Sequence, residues 1–268
     1  MATTIHPTAV VDPRAELAAG VAVGPYAVIG PQVRLGPDCS IGPHVVLDGR
    51  VRMGRGNRIF PGACIGLEPQ DLKYTGDPTE VVIGDDNTIR EYVTINRATT
   101  HSQQTRIGDG NLLMAYSHLG HNCALGDRIV IANGVAVAGH VVIGDRAVIG
   151  GVLGIHQFVQ IGSLAMVGGM SRIERDVPPF TLVEGHPSRV RALNTIGLRR
   201  SGLTELDGGL QFADLKRCWS LLYRQELTLA KALDQLRATP LTAAAETLVA
   251  FLESSLQPGR RGPIPGAR

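Results

Sequence analysis

The chain has 268 residues, a formal net charge of +2, and only 19% charged and 4% aromatic residues. So small a net charge does not predict a nucleic-acid-binding surface, and no apolar run approaches the roughly 18 residues that would predict an integral membrane segment. The four cysteines have no paired spacing that would predict disulfides. A six-residue repeat begins at Ile5, which leaves no room for a signal peptide. We therefore expect a cytoplasmic protein with reduced thiols.

An aliphatic residue recurs at every sixth position through the first two thirds of the chain. Only Asp71, Asp77 and His101 interrupt a six-residue spacing laid from Ile5 to Ile173. Glycine often follows the aliphatic residue, and a small or branched residue often stands four positions after it. Hexapeptide repeats of this kind are typical of parallel β-helices, in which three hexads close one triangular coil of about 18 residues.

Two polar segments interrupt the hexads and are predicted to form loops, near residues 71–82 and 99–106. The repeat ends near Ile173, because the prolines of the segment 176–180 (DVPPF) cannot continue a hydrogen-bonded ladder. We therefore expect a β-helical domain over residues 1–190.

Leucine-rich helical periodicity follows the repeat and predicts three or four helices between about 196 and 256. These helices define a C-terminal domain over 191–268, and we expect its Pro-, Gly- and Arg-rich tail to be disordered from about 257. The helices can cap one end of the prism, as terminal repeats must. The flat faces of the prism need other subunits to pack against. We expect a homotrimer whose axis is parallel to the prism.

The histidines are unevenly distributed. Four of the eight cluster in one stretch of the repeat: His118, His121, His140 and His156. The repeat is uninterrupted over 107–173, so steps of three hexads lead from His121 to Gly139 and then to Gln157. Coils of a β-helix stack about 4.8 Å apart. The sequence therefore predicts a column of imidazoles along one corner of the prism.

Three interpretations of this column are open. Surface histidines can share an edge without a function. Imidazoles also bind zinc, as in hexapeptide carbonic anhydrases, although the close pair here is spaced His118-x2-His121 rather than the H-x4-H of that family. The third interpretation is acyl transfer to a hydroxyl, with a neutral imidazole as general base and the Gly139 N–H as oxyanion donor. Four aligned histidines with glycine and glutamine between them favour catalysis.

The chain resembles one family closely, the acyl-carrier-protein-dependent UDP-N-acetylglucosamine O-acyltransferases that begin lipid A synthesis. The most specific motifs are the loop QDLKYTGDPT (70–79) and the segment LNTIGLRRSG (193–202). Five further segments follow the family pattern in order: DGNLLMAYSHLGHNC (109–123), AGHVVIG (138–144), IHQFVQIG (155–162), MVGGMS (166–171) and DVPPF (176–180).

The resemblance implies a left-handed parallel β-helix, a homotrimer, and transfer of an (R)-3-hydroxyacyl group from acyl carrier protein to the 3-hydroxyl of UDP-N-acetylglucosamine. It implies no covalent intermediate, no metal, and no cofactor other than the carrier thioester. His121 matches the general base and Gly139 the oxyanion donor. Several positions match substrate-binding residues: Asp71, Lys73, His118, His140, His156, Gln157, Asn194 and Arg200. Gly169, beside Met170, matches the position that sets acyl-chain length, and glycine there predicts a longer donor.

Three residues depart from the family pattern. Asn122 follows the expected base where the family often has Asp, so a carboxylate that orients His121 is missing at that position. Ser201 stands where a second arginine is usual, and Ile196 occupies a position that is acidic in some members. We expect activity to survive these changes and nucleotide affinity to be the property most affected.

Alternative functions remain open from the sequence. The N-acyltransferase of the same pathway shares the hexads and a catalytic histidine, but it carries an additional N-terminal domain before the repeat and lacks the QDLKY loop. A zinc-dependent carbonic anhydrase would require bound metal. A non-catalytic scaffold would need no aligned histidines.

Overall fold

The computed structural model describes residues 2–100 and 103–267 and consists of a left-handed parallel β-helix followed by four helices. Three sheets, A, B and C, form the three faces of a triangular prism. The strands of sheet A are β1 (Thr4–Ile5), β4 (Ala22–Val23), β7 (Ser40–Ile41), β10 (Arg58–Ile59), β13 (Thr88–Ile89), β16 (Leu112–Leu113), β19 (Val130–Ile131), β22 (Val148–Ile149), β25 (Met166–Val167), β27 (Thr181–Gly185) and β28 (Ser188–Leu193).

Sheets B and C complete each coil. The strands of sheet B are β2 (Val10–Val11), β5 (Val28–Ile29), β8 (Val46–Leu47), β11 (Cys64–Leu67), β14 (Thr94–Asn96), β17 (His118–Leu119), β20 (Ala136–Val137), β23 (Gly154–Ile155) and β26 (Arg172–Ile173). The strands of sheet C are β3 (Glu16–Leu17), β6 (Val33–Leu35), β9 (Arg50–Met53), β12 (Glu80–Ile83), β15 (Gln104–Ile107), β18 (Ala124–Leu125), β21 (Val142–Ile143) and β24 (Gln160–Ile161).

The repeated aliphatic residue fills the interior of the prism. Ile65, Ile89 and Leu119 are each no more than 1% exposed, while the preceding residue of each strand points outward. Complete burial of such a side chain contributes about 1.5–3 kcal/mol relative to exposure. The six-residue pattern therefore determines both the strand positions and the core.

The two interruptions are whole multiples of the repeat. In the uninterrupted part, partners in adjacent strands are three hexads apart, as for Arg106 and Ala124. Val51 instead pairs with Val81, five hexads on, and Val81 pairs with Thr105, four hexads on. The first loop hence adds two hexads and the second adds one, so the inward phase is retained on both sides.

The strands that follow the two loops begin at Glu80 and Gln104. This corrects the predicted loops 71–82 and 99–106 at their C-terminal ends, where the chain has already rejoined sheet C. The predicted break at His101 lies outside the described residues.

The C-terminal region begins with a hairpin. Strand β27 continues sheet A in parallel beside β25, and β28 returns antiparallel to β27, so the expected boundary at residue 190 falls within β28. The helices are α1 (Thr195–Arg200), α2 (Leu210–Tyr223), α3 (Leu229–Arg237) and α4 (Ala243–Ser255), with a 3-10 helix at Leu206–Gly209. None of the helices in the described ranges is long and apolar enough to cross a membrane.

The expectation of a disordered tail from about residue 257 is wrong. In the C-terminal segment, defined here as residues 257–267, Ile264 is 2% exposed, and β-bridges join Pro263 to Asp176 and Gly266 to Val190. The Arg260 guanidinium also forms an ion pair with the buried Asp176 carboxylate at 2.8 Å. The composition of the tail could not reveal these partners, because all of them belong to distant parts of the chain.

Candidate functional site

A groove of about 590 Å³ crosses sheet B close to the corner that leads to sheet C. We call it the histidine groove. Its lining includes His118, His121, Gly139, His156, Gln157 and Asn96. The structure thus brings together residues that the period of three hexads predicted to share a corner.

The imidazoles are in direct contact along this corner. The rings of His121 and His140 meet edge to face with centroids 5.2 Å apart. His140 in turn stacks on Phe158 at 4.6 Å. His140 and Phe158 are held in successive coils, because the N–H of His140 donates to the His121 carbonyl and that of Phe158 to the Gly139 carbonyl.

Asn122 orients the His121 ring. The Thr99 N–H donates to Asn122 Oδ1 at 3.1 Å, which identifies this atom as the amide oxygen. Oδ1 lies 2.8 Å from His121 Nδ1, and because an amide oxygen only accepts, Nδ1 carries the proton. Nε2 is therefore left with its lone pair. The absence of Asp at position 122 does not leave the imidazole without an orienting acceptor.

Gly139 allows the His121 ring to reach this position. A Cβ atom at residue 139 would come within 2.5 Å of His121 Nε2. Among the described residues, none accepts a hydrogen bond from the Gly139 N–H. The His121 ring and the backbone of Gly139 are therefore close neighbours in the groove, an arrangement that can supply a base and an N–H donor to a proton transfer beside a developing oxyanion.

Two further histidines of this corner, His118 and His140, have surroundings that favour the neutral ring. Burial lowers the pKa of His118, and the neighbouring His121 lowers it further. Burial also lowers the pKa of His140, while Asp71 opposes this effect and so lies within electrostatic range of that ring. His118 Nδ1 lies 2.7 Å from the Thr94 hydroxyl in the adjacent strand. Neutral imidazoles can hydrogen-bond a polar substrate without the cost of burying a charge.

His156 and Gln157 form the far end of the groove. His156 Nδ1 lies 3.1 Å from the Gln157 carbonyl, and its Nε2 lies 3.2 Å from an Arg261 guanidinium nitrogen. Nothing in the repeat relates Arg261 to this corner, so its contact with His156 was not predicted. Gln70 and Asn96, which line the groove, were not predicted either. Gln70 immediately precedes Asp71 in the chain, but the two insertions prevent its position from being calculated from the repeat.

Five predicted substrate-binding residues lie outside the lining of the groove in this single chain: Asp71, Lys73, His140, Asn194 and Arg200. Asn194 caps helix α1, with Oδ1 accepting from the Gly197 N–H at 3.1 Å and Nδ2 donating to the Leu164 carbonyl at 2.9 Å. Arg200 is exposed at the end of the same helix, and Lys73 is exposed on the first loop. The Lys73 N–H donates to the Asp71 carboxylate at 2.9 Å.

The two residues expected to measure the acyl chain lie across sheet B from the histidines. Gly169 and Met170 form the corner between β25 and β26, and Met170 is 80% exposed. A Cβ atom at Gly169 would lie 3.2 Å from the carbonyl oxygen of Gly151, in the preceding coil. A side chain there would have to extend outward over the edge of the sheet.

The comparisons with known proteins agree in family. A family model described as UDP N-acetylglucosamine O-acyltransferase, domain 2, matches residues 176–264, and a bacterial transferase hexapeptide model with six repeats matches residues 104–139. The first match covers the end of the β-helix and the helices, and the second covers the coils that carry His118 and His121.

Relatives resemble the chain over about three quarters to nearly all of its length. An acyl-[acyl-carrier-protein]–UDP-N-acetylglucosamine O-acyltransferase from Verminephrobacter eiseniae is 50% identical, with 97% of this chain and 98% of the relative covered. The protein of the same name from Gloeothece citriformis is 57% identical over 79% of this chain and 75% of the relative. The solved structure of LpxA from Acinetobacter baumannii has a TM-score of 0.90 and 40% identity, covering 97% of this chain and 99% of that chain.

Proposed function

The chain belongs to the family of acyl-carrier-protein-dependent UDP-N-acetylglucosamine O-acyltransferases, and on that premise we propose that it transfers a 3-hydroxyacyl group from acyl carrier protein to the 3-hydroxyl of UDP-N-acetylglucosamine. This reaction is the first step of lipid A biosynthesis. The observation that carries the proposal is the convergence of the His121 Nε2 lone pair and the Gly139 N–H in one groove.

The reaction needs no covalent enzyme intermediate. His121 Nε2 takes the proton of the sugar 3-hydroxyl as the oxygen of that hydroxyl attacks the thioester carbonyl. The Gly139 N–H donates to the resulting oxyanion. Collapse of the tetrahedral intermediate breaks the carbon–sulfur bond, and the departing thiolate takes the proton from the His121 imidazolium. His118, His140, His156 and Gln157 are proposed to hold the sugar nucleotide, and no cofactor beyond the carrier thioester is needed.

A homotrimer is part of the same proposal. Leu72 is fully exposed on the first loop, and Tyr116, Val152 and Met170 are each at least 66% exposed along one corner of the prism. Contiguous exposed apolar groups mark interaction surfaces. Asn194, Arg200 and Lys73 do not line the groove of their own chain. A second copy packed against this corner would cover Tyr116, Val152 and Met170 and let those polar groups serve a neighbouring groove.

The cytoplasm is the proposed compartment. All four cysteines are free thiols: Cys39, Cys64, Cys123 and Cys218. Burial raises the pKa of the Cys123 thiol to about 12, which makes it an unreactive core residue. Free, unpaired thiols suit a reducing environment.

The alternative functions have no supporting observation. A hydratase of the carbonic anhydrase type needs three metal ligands, and residues 2–100 and 103–267 contain no cluster of three or more His, Cys, Asp or Glu placed to hold a metal ion. The relatives described above bear the name of the O-acyltransferase rather than that of the N-acyltransferase. A scaffold without catalysis would not need the paired His121 and Gly139 geometry.

The test is direct acyl transfer by the purified chain. (R)-3-hydroxyacyl carrier protein and UDP-N-acetylglucosamine are incubated with it, and the acylated nucleotide is identified by mass spectrometry. A parallel reaction supplies an acceptor with a free amine in place of the reactive hydroxyl. Ester formation with the first acceptor supports the proposal, whereas acylation of the amine alone, or of neither acceptor, refutes it.

A further inference from the structure

The C-terminal segment returns to the far end of the histidine groove and is fixed there on both sides. Before residue 261, Arg260 pairs with Asp176, whose side chain is 4% exposed and also accepts from the Ser255 hydroxyl at 2.6 Å. After it, Pro263 and Gly266 form β-bridges with the body of the protein. Arg175 donates to the Arg261 carbonyl at 2.8 Å. The backbone of Arg261 is therefore held in place by contacts on both sides of it.

The side chain of Arg261 contacts the groove through His156. The Gln157 carbonyl can only accept, so His156 Nδ1 carries a proton and its Nε2 accepts from the Arg261 guanidinium at 3.2 Å. This contact uses one of the five N–H donors of the guanidinium. Arg261 is exposed, and no described carboxylate lies within 4.0 Å of it. Its positive charge thus faces a neutral ring and solvent.

Two nearby arginines form ion pairs with carboxylates of the same chain. Arg172, which lines the same end of the groove, pairs with Glu174, and Arg260 pairs with Asp176. Both charges are compensated within the chain. Arg261 differs from both, because its charge has no carboxylate partner among the described residues. Arg175 has none either, but its guanidinium donates to the Arg261 carbonyl. The planar donor fork of Arg261 matches the oxygens of a phosphate group.

We propose that Arg261 is a substrate-positioning residue that binds a phosphate group at the His156 end of the groove. The inference rests on the function proposed above, in which both substrates carry phosphate: the diphosphate of the sugar nucleotide and the phosphodiester of the carrier's pantetheine arm. Arg261 would bind the phosphate with its free donors while it keeps His156 in one tautomer. The C-terminal segment would then complete the active site rather than merely cap the fold.

The test compares three variants: Arg261→Gln, Arg261→Lys and the control Arg128→Gln, which removes an exposed arginine from a different corner. KM and kcat are measured for UDP-N-acetylglucosamine and for acyl carrier protein, and the Kd of UDP alone is measured by calorimetry. Loss of one charge-assisted hydrogen bond to phosphate corresponds to about tenfold or more in affinity. Arg261→Gln should raise one KM by that factor, Arg261→Lys should restore part of it, and Arg128→Gln should change neither.

The two sources of phosphate are separated by the substrates. If the nucleotide is bound, the KM for UDP-N-acetylglucosamine and the Kd of UDP both rise. If the pantetheine arm is bound, only the donor KM rises, and the defect disappears with an acyl-pantetheine donor that lacks the phosphate. Both KM values within twofold of wild type would overturn the inference, as would a fall in kcat alone. Melting temperatures show whether Arg261→Gln has a folding defect. If it has one, the KM values of Arg261→Lys are compared with those of the wild type instead. Inactive wild-type protein would instead refute the proposed function.

Discussion

The His121 imidazole occupies the space that a side chain at Gly139 would fill, since a Cβ atom there would come within 2.5 Å of His121 Nε2. The glycine is therefore required by a close approach of two successive coils rather than by its backbone conformation. The same approach makes the His121 ring a close neighbour of the Gly139 backbone.

Gly139→Ala should displace the His121 ring and lower kcat by about 10²-fold or more, since misplacing a catalytic group by about 1 Å is that costly. The melting temperature should change little, because the methyl group points into the groove. Gly154→Ala is the matched control, because it adds a methyl group to the same groove without meeting any atom of the protein within 4 Å. Equal rates for the two variants would show that the His121 position is unimportant.

His121→Ala should lower kcat by about 10²–10⁴-fold, the usual contribution of a general base. The exposed His44, which stacks on Tyr26 elsewhere on the prism, provides the control variant His44→Ala. Steady-state kinetics and melting curves of both variants separate catalysis from folding. A His121→Ala enzyme with more than a tenth of the wild-type rate would have another base.

Asn122→Asp should move the acid limb of the kcat/KM profile to higher pH. A carboxylate beside His121 Nδ1 favours the imidazolium, so the base would be protonated at a pH at which the wild-type ring is still neutral. Gln103, which accepts from the Asn122 amide at 2.5 Å, can rotate its own amide to donate to the new carboxylate. The measurement is activity between about pH 5 and pH 8.5. An unchanged acid limb would mean that it reports another group.

Folding stability should decrease in mild acid. The pKa values of His118 and His140 are lowered by burial in the folded chain, so the unfolded chain binds more protons once the pH falls below its value of about 6.5. The melting temperature should hence fall between about pH 7.5 and pH 5. His118→Asn should flatten this dependence and His44→Ala should not. A parallel decline in wild type and His118→Asn would assign it to other groups.

Gly169→Met should shift donor preference towards shorter 3-hydroxyacyl chains with little loss of rate on them. The added side chain would begin 3.2 Å from the Gly151 carbonyl oxygen and must extend over the edge of sheet B. Competition between donors of two lengths measures the selectivity, with Gly169→Ala as the smaller step. If the wild type and both variants select donors equally, chain length is set elsewhere, with Met170 the nearest candidate.

The period of the repeat was sufficient to predict the β-helix and the histidine column. Because no insertion falls between positions 107 and 173, counting in steps of three hexads placed His121, Gly139 and Gln157 on one corner. The same arithmetic could not place Asn96, which precedes the second insertion, or Gln70, which precedes most of the first insertion and all of the second.

Contacts made by irregular segments were beyond the sequence. The role of Asn122 depends on Thr99, which the second loop brings to the amide oxygen from 23 residues away. Arg261 reaches His156 across 105 residues, from a tail whose composition suggested disorder. Neither contact follows from the six-residue repeat, because each depends on the path that a loop or terminus takes through the folded protein. The roles assigned to Asp71, Lys73, Asn194, Arg200 and Gly169 from the family resemblance stay predictions.

The ion pair between Asp176 and Arg260 joins residues 84 positions apart and has a consequence for synthesis on the ribosome. Coils of a β-helix can stack in order as they emerge, because each contacts mainly its neighbours. Asp176 leaves the ribosome long before Arg260. Until Arg260 follows, the Asp176 carboxylate in the last coil lacks this counter-ion. The nascent chain can thus build its prism early, but the ion pair at that end can form only after the four helices between Asp176 and Arg260 have been synthesised.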